Sequence, residues 1–545
     1  MTTDTPVVKA VASTPPAADA AVKKPIKMIK LCILDLPCAS CYMSSGQWRS
    51  GKDFSRQKDR LPYYLDLART AEEGKLSAVF FADWYNGFEI YQKSLDPMLS
   101  AGHQVAHMDP IPILSAMAAV TKSVAFAATA STSYVNPYIL ARQFSTLDHM
   151  TEGRVGWNIV TSWSKAVANA LGQTDEVPHD ERYNQADEYM DVVYKLWESS
   201  WSDDAAVWDT EKNLAYDPAR IKRIEHKGKY HQMAGRSQVH PSPQRTPVLF
   251  QAGTSRAGAA FAAKHAEVMF LNTATPAATA KFVKAARAQA AAHGRDPASL
   301  KFFPAICPII GRTAEEAREK YETALKYANP IAGLGQFSGY AGIDMSKFPL
   351  DEPLELSSRP GVSAIVSTFN ALDDLQEEGA TGTTETKEKL PWTPRRIGMR
   401  LAMGGLHPQP VGTAEEVADV FEKWVREADV DGFNIGLITN PQSSRDIVEL
   451  LVPELQRRGL FWMDYDVPGG TFRENLMGAG QSRLRDDHYG HSFVYGNGKD
   501  KMEPVVREDE KIEVKEEKTN SEVKVTVNDK VNGTTTVKEV AVEAK

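Results

Sequence analysis

Eight short runs of β-branched, aromatic and small apolar residues recur along this chain, at 27–34, 78–82, 124–128, 155–160, 247–251, 267–271, 301–309 and 432–438. Between them lie longer amphipathic stretches rich in Ala and Glu, at 61–73, 111–120, 137–150, 185–197, 257–264, 277–292, 314–328, 414–427 and 445–458. A continuous apolar run suits a strand buried on both faces, and strands separated by helices must pair in parallel. Eight such units fit an α/β fold of the closed (β/α)8 or TIM-barrel type. A doubly wound open sheet is the structural rival. It would want a glycine-rich turn after the first strand, and Leu34-Asp35-Leu36-Pro37-Cys38 is not one.

The chain has 545 residues, which at ~150 residues per domain would suggest three or four domains. The strand–helix pattern instead assigns 26–497 to one enlarged barrel, with surplus length in insertions at about 198–246 and 329–411. The second contains SGYAGIDMSKFPLDEP and reads as a lid over the barrel mouth, since long insertions in compact domains are commonly functional. Residues 1–25 hold Ala and Pro and no aromatic residue, and are expected to form a flexible tail without a secretory signal. Residues 498–545 are dominated by Asp, Glu, Lys and Arg; composition predicts a disordered tail, with one exposed strand at EVKVTVND as the alternative. The net charge of -8 argues against a nucleic-acid partner, no apolar run is long enough for a membrane span, and four cysteines suit a reducing, cytoplasmic setting.

In a barrel of this kind the chemistry gathers where strands end. The second strand ends in Asp83. The third ends in Thr129, Ser131 and Thr132, and the fourth carries Asn158 before Thr161 and Ser162. The fifth runs through Gln251 and Gly253 into Thr254 and Ser255 and then directly into a helix. Small hydroxyls and glycine at a strand-to-helix turn offer backbone N–H groups suited to a phosphate. Any one of these ends could be a turn or helix cap; four together favour a ligand-binding mouth. His179 and Tyr183 stand four residues apart, on one face of a helix, where both can donate to a phosphate or flank an aromatic ring.

Other constellations are weaker. His103 and His107 have metal-ligand spacing but lack the intervening glutamate of a metalloprotease, so a structural or substrate-side role is the reading, and no metal site is assigned. Cys38 and Cys41 form a CxxC without a second pair and read as free thiols. Trp197, Trp201 and Trp208 read as packing residues.

Several stretches together resemble the flavin-dependent monooxygenases of the bacterial-luciferase-like superfamily, in the group of nitrilotriacetate monooxygenase component A, dibenzothiophene-sulfone monooxygenase and the pristinamycin synthase subunit. They are AEEGKLSAVFFAD, LARQFSTLDHMTEGRVGWNIVTS, the segment 179–201, VLFQAGTSRAGAAFAAKHAEVMF, SGYAGIDMSKFPLDEPL, GTAEEVAD and TFRENLMGAGQSRLRDDHYG. They lie in family order across about 27–495. The resemblance implies a barrel that uses reduced FMN and O2, with FMNH2 supplied by a separate NAD(P)H:FMN reductase. It implies a small S-, N- or C-centred organic substrate and a homodimer or homotetramer.

Carried onto this sequence, the resemblance puts FMN contacts on Asp83, Thr129, His179, Tyr183 and Thr254 or Ser255. Thr254 stands where the group usually has Ser, which preserves the hydroxyl. Thr254, Ser255 and Tyr183 are assigned to the phosphate end, and Asp83, Thr129 and Asn158 to the ring or ribityl chain. His179 is the candidate catalytic residue, either as a donor to the flavin or as an acid–base group. Trp48, His103 and Phe337 are expected toward the substrate. Two rival readings are a metal-dependent barrel hydrolase using His103 and His107, and a non-catalytic flavin-binding relative.

Overall fold

A computed structural model describes residues 27–39, 42–354, 365, 367–372 and 391–497, together with the backbone of three strands between 515 and 543. Eight strands close into a barrel: β1 (Lys30–Asp35), β2 (Ala78–Phe81), β3 (Ala125–Ser131), β4 (Val155–Val160), β5 (Val248–Gln251), β6 (Val268–Leu271), β7 (Lys301–Ile306) and β8 (Gly432–Gly436). Every neighbouring pair is parallel, and β8 closes on β1 through Lys30↔Gly432 to Leu34↔Gly436. The eight expected runs are therefore the eight barrel strands, with ends that agree to within three residues.

Main helices following the strands are α1 (Leu61–Glu73), α2 (Pro110–Ala118), α3 (Pro137–Met150), α4 (His179–Tyr194), α5 (Arg256–His265) and α6 (Pro276–Ala292). After β7 come α7 (Ala314–Tyr327), α8 (Pro330–Ala341), α9 (Pro394–Ala402) and α10 (Ala414–Ala428). Asp109 and Asn136 cap α2 and α3 through their side chains, each followed by a Pro at the first helical position, where its missing N–H costs nothing. Helix α4 begins six residues before the apolar periodicity does. Pro178 precedes it, and Asp180 and Glu181 occupy its first turn, where the helix dipole favours negative charge.

Strand alternation divides the apolar residues into two cores. Leu31, Ile33, Val79, Phe81, Phe126 and Trp157 face the helices. Cys32, Leu34, Phe80, Ala127, Phe250 and Phe270 face the lumen. The lumen is packed with rings: Phe80 lies edge-on to Phe270 at 4.4 Å, and Phe250 stacks on Phe270 at 5.1 Å. Small residues opposite make room, since a Cβ at Gly156 would stand 2.6 Å from the Phe250 ring. The lower end is plugged by the helix Phe472–Met477, whose Phe472 stacks on Phe250 at 5.6 Å. Arg473, fully buried beside it, donates to Glu267 from Nε at 2.7 Å and to the Thr246 and Pro247 carbonyls. The TFRENLMGAG stretch is thus a staple under the barrel.

The first insertion contains two antiparallel hairpins, Ala206–Asp209 with Leu214–Tyr216 and Ile224–Lys227 with Gln232–Gly235. In the second, α8 packs on α9 around a small separate core of Leu334, Phe337, Phe369, Ile397 and Leu401. The expected N-terminal tail and Cys41 lie outside the described residues. Where composition predicts a disordered C-terminal tail, the strands Lys515–Thr519, Glu522–Val531 and Thr534–Glu543 pair antiparallel. Valines alternating with polar residues supply the two-residue period that such strands require.

Candidate active site

At the upper end of the lumen the phenylalanines give way to polar groups. Thr129 on β3 and Asn158 on β4 are register partners, both buried. Asn158 donates to Thr129 Oγ1 at 2.9 Å, and Thr129 in turn donates to the Phe81 carbonyl at 3.0 Å. This leaves the Asn158 Oδ1 buried without a partner among the described residues, as is the Oδ1 of Asn434 on β8. Unpaired buried acceptors are costly, so these two amide oxygens on barrel strands are suited to a donor-bearing ligand. Asn434 escaped the sequence reading; its signal was a single polar residue at an inward position of the otherwise apolar GFNIG.

A second focus lies where β5 meets α5. Ser255 caps α5, accepting from the Gly258 N–H at 3.1 Å, and Thr254 is exposed just before it. The Tyr183 hydroxyl hangs over this turn, 3.5 Å from Gln251 Nε2. A Cβ at Gly253 would lie 2.4 Å from that hydroxyl and one at Gly258 2.7 Å, so glycine is required at both positions by close approach. His179 projects from the first residue of α4, edge-on to Tyr183 at 5.3 Å, with Nδ1 2.7 Å from Asp180. Helix N-terminus, hydroxyls and imidazole together form an anion cradle of the kind a phosphate occupies. Gln251, whose Oε1 is buried and unpaired among the described residues, joins this cluster.

Asp83 follows β2 on the wall of a cavity of about 550 Å³ that also takes in Thr129, Trp84, Gln104 and His107. Burial, reinforced by the nearby Asp109 charge, pushes the Asp83 carboxyl up to about 7. His107 donates from Nδ1 to the Trp84 carbonyl at 2.7 Å, and burial lowers its pKa.

The three residues expected toward the substrate lie along one run of contacts between the Ala101–His103 turn and α8, outside the lining of the cavity. Trp48 donates to the Ala101 carbonyl at 2.9 Å and packs against Gly102. His103 is fully buried, 3.3 Å from Gln336 of α8. Phe337 is buried in the insertion's own core, stacked on Phe369 at 6.3 Å, and does not line the cavity. Among the described residues no three His, Cys, Asp or Glu side chains converge as a metal site. None of the helices there is long and apolar enough to cross a membrane.

A closed parallel (β/α)8 barrel with polar side chains gathered at its strand ends defines the class as an α/β-barrel protein of the TIM type. The family model described as luciferase-like monooxygenase matches residues 30–432, and the chain belongs to that family. It is 38% identical over 462 residues to the dimethyl-sulfide monooxygenase of Hyphomicrobium sulfonivorans, covering 85% of this chain and 93% of that one. The crystal structure of DmoA from the same organism superimposes with a TM-score of 0.79 at 37% identity, covering 88% and 100% of the two chains. Nitrilotriacetate monooxygenase component A of Aminobacter aminovorans is 35% identical over 79% of this chain and 92% of its own. A riboflavin lyase crystallised with modified FMN and riboflavin matches with a TM-score of 0.75 at 32% identity, covering 86% and 100%. The protein is accordingly a flavin-dependent monooxygenase, an oxidoreductase, of the luciferase-like family.

Proposed function

We propose that the chain is the oxygenase of a two-component system, using FMNH2 made by a separate NAD(P)H:FMN reductase to place one atom of O2 into a small organic substrate. The observation that carries this reading is the cradle at β5 and α5. Tyr183, Ser255 and the α5 N-terminus are spaced around two glycines whose Cβ atoms would collide with the Tyr183 hydroxyl. Its chemistry suits the FMN phosphate, and the unpaired amide oxygens of Asn158 and Asn434 suit the N–H groups of a reduced ring. Bound there, reduced FMN would supply the electrons and the oxygen activation.

The protein's own share is to bind, orient and exclude water. The phenylalanine-packed lumen below Thr129 and Asn158 keeps solvent from reaching the ring from beneath. Asp83 and His179 are the groups placed to hold or pass a proton. No nucleophile–base triad is required, because the reactivity resides in the cofactor. The match to a relative named as a component A supports the separate reductase.

The test supplies purified chain with FMN, NADH, any flavin reductase and 18O2, and screens thioethers, amines and hydrocarbons by mass spectrometry. Substrate-dependent incorporation of a single labelled oxygen is expected. Failure of the chain to bind FMN or FMNH2, or oxygen consumption that no substrate converts to product, would overturn it.

A further inference from the structure

The cavity beside β2 and β3 has a wall of one electrostatic kind. Its acidic residues are Asp83 and the exposed Asp109, and neither Lys nor Arg lines it. His107, also on the wall, is held toward its neutral form by burial; Lys58, whose charge bears on it, is itself paired with Asp35 at 2.5 Å. Gln104 is 1% exposed, and its amide nitrogen donates to the Tyr42 carbonyl at 3.2 Å. Its Oε1 is left buried at the cavity, with no partner among the described residues.

The segment that presents it is bent against its preference. Gln104 has φ 50° and Ala106 φ 56°, left-handed values that non-glycine residues rarely adopt. The lining also includes the apolar Leu95, Leu99, Ile111 and Ile139, and the Trp84 ring. Trp84 Nε1 is one buried donor without a partner among the described residues, set against two carboxylates and the Gln104 oxygen.

We propose that this cavity is the substrate chamber and that it selects an uncharged or cationic molecule with an apolar body and a hydrogen-bond donor, alkylamines being the matching class, while rejecting polycarboxylates. A carboxylate ligand would face Asp83 and Asp109 without a cation to offset its desolvation. An alkylammonium ion would place its N–H on the Gln104 oxygen, its charge toward Asp83, Asp109 and the Trp84 face, and its alkyl arms on the leucine and isoleucine wall. The inference rests on the oxygenase reading only in calling the bound molecule a substrate.

The test is ligand titration by calorimetry and saturation-transfer NMR on the full chain with FMN present, using N,N-dimethylbutylamine and nitrilotriacetate as probes. The amine is expected to bind the wild type, and nitrilotriacetate not to displace it. Leu99→Arg, at a half-exposed wall position, should weaken the amine about tenfold and give measurable nitrilotriacetate binding. Should that variant fold poorly, Asp109→Asn, which keeps the helix cap, should weaken the amine severalfold. Nitrilotriacetate binding the wild type as tightly as the amine, or amine affinity unchanged in a folded variant, would overturn the proposal. FMN binding measured on the same samples tests the oxygenase reading independently: its absence would sink that reading whatever the amine does.

Discussion

Tyr183→Phe isolates the phosphate end of the site. In the structure the phenol oxygen sits 3.5 Å from Gln251 Nε2, at the outer limit of a hydrogen bond, while the ring packs on Phe261 at 5.8 Å. Phenylalanine keeps the ring contact and removes only the hydroxyl, so stability to urea should change by less than about 1 kcal/mol. A hydrogen bond to a charged partner contributes roughly 1.5–3 kcal/mol. At 1.4 kcal/mol per decade, the Kd for FMN should rise by about 10- to 150-fold. Riboflavin, which lacks the phosphate, provides the control. The wild type should prefer FMN over riboflavin, and the variant should lose most of that preference without losing riboflavin binding. Fluorescence quenching of the oxidised flavins reads both constants. An equal loss for FMN and riboflavin, or an FMN constant within twofold of wild type, would refute the assignment of Tyr183 to the phosphate.

Asp83 carries a pH signature. Its carboxyl, at 3.8 when unperturbed, is raised to about 7 in the fold, so between those values the folded state holds more protons than the unfolded chain. Stability should therefore fall as pH rises from about 4 to about 7, and Asp83→Asn should remove that fall; identical slopes in urea melts of both proteins would contradict it. Arg473→Ala strands the buried Glu267 carboxylate and should cost about 3–5 kcal/mol by chemical denaturation, and a loss under 1 kcal/mol would disprove the staple. Phe337→Ala opens a hole in the core between α8 and α9 and should cost about 3–5 kcal/mol, seen as a lowered melting temperature. A change in substrate preference at unchanged stability would return Phe337 to the substrate side.

Periodicity alone determined the barrel, because a strand buried on both faces must be apolar throughout and a parallel neighbour must be reached through a helix. The residues at strand ends were legible for the same reason: Asp83, Thr129 and Asn158 are polar interruptions directly after or within apolar runs, and Ser255 starts a helix. The HDERY segment was legible through the four-residue spacing that puts His179 and Tyr183 on one helical face.

Three-dimensional packing decided the rest. That the Tyr183 hydroxyl hangs over Gly253 and Gly258, some seventy residues away in the chain, follows from how α4 leans on α5. Asn434 takes its place in the barrel wall, beside Cys32 and Ala305, only because β8 closes the ring between β1 and β7. That the second insertion folds a core of its own, with the Phe337 ring buried in it, was likewise decided by packing. The acidic wall of the cavity, without Lys or Arg, is likewise a property of no segment. Asp83, Gln104 and Asp109 come from separate turns of the chain between β2 and α2, and the character of the wall emerges only where folding brings them to one cavity.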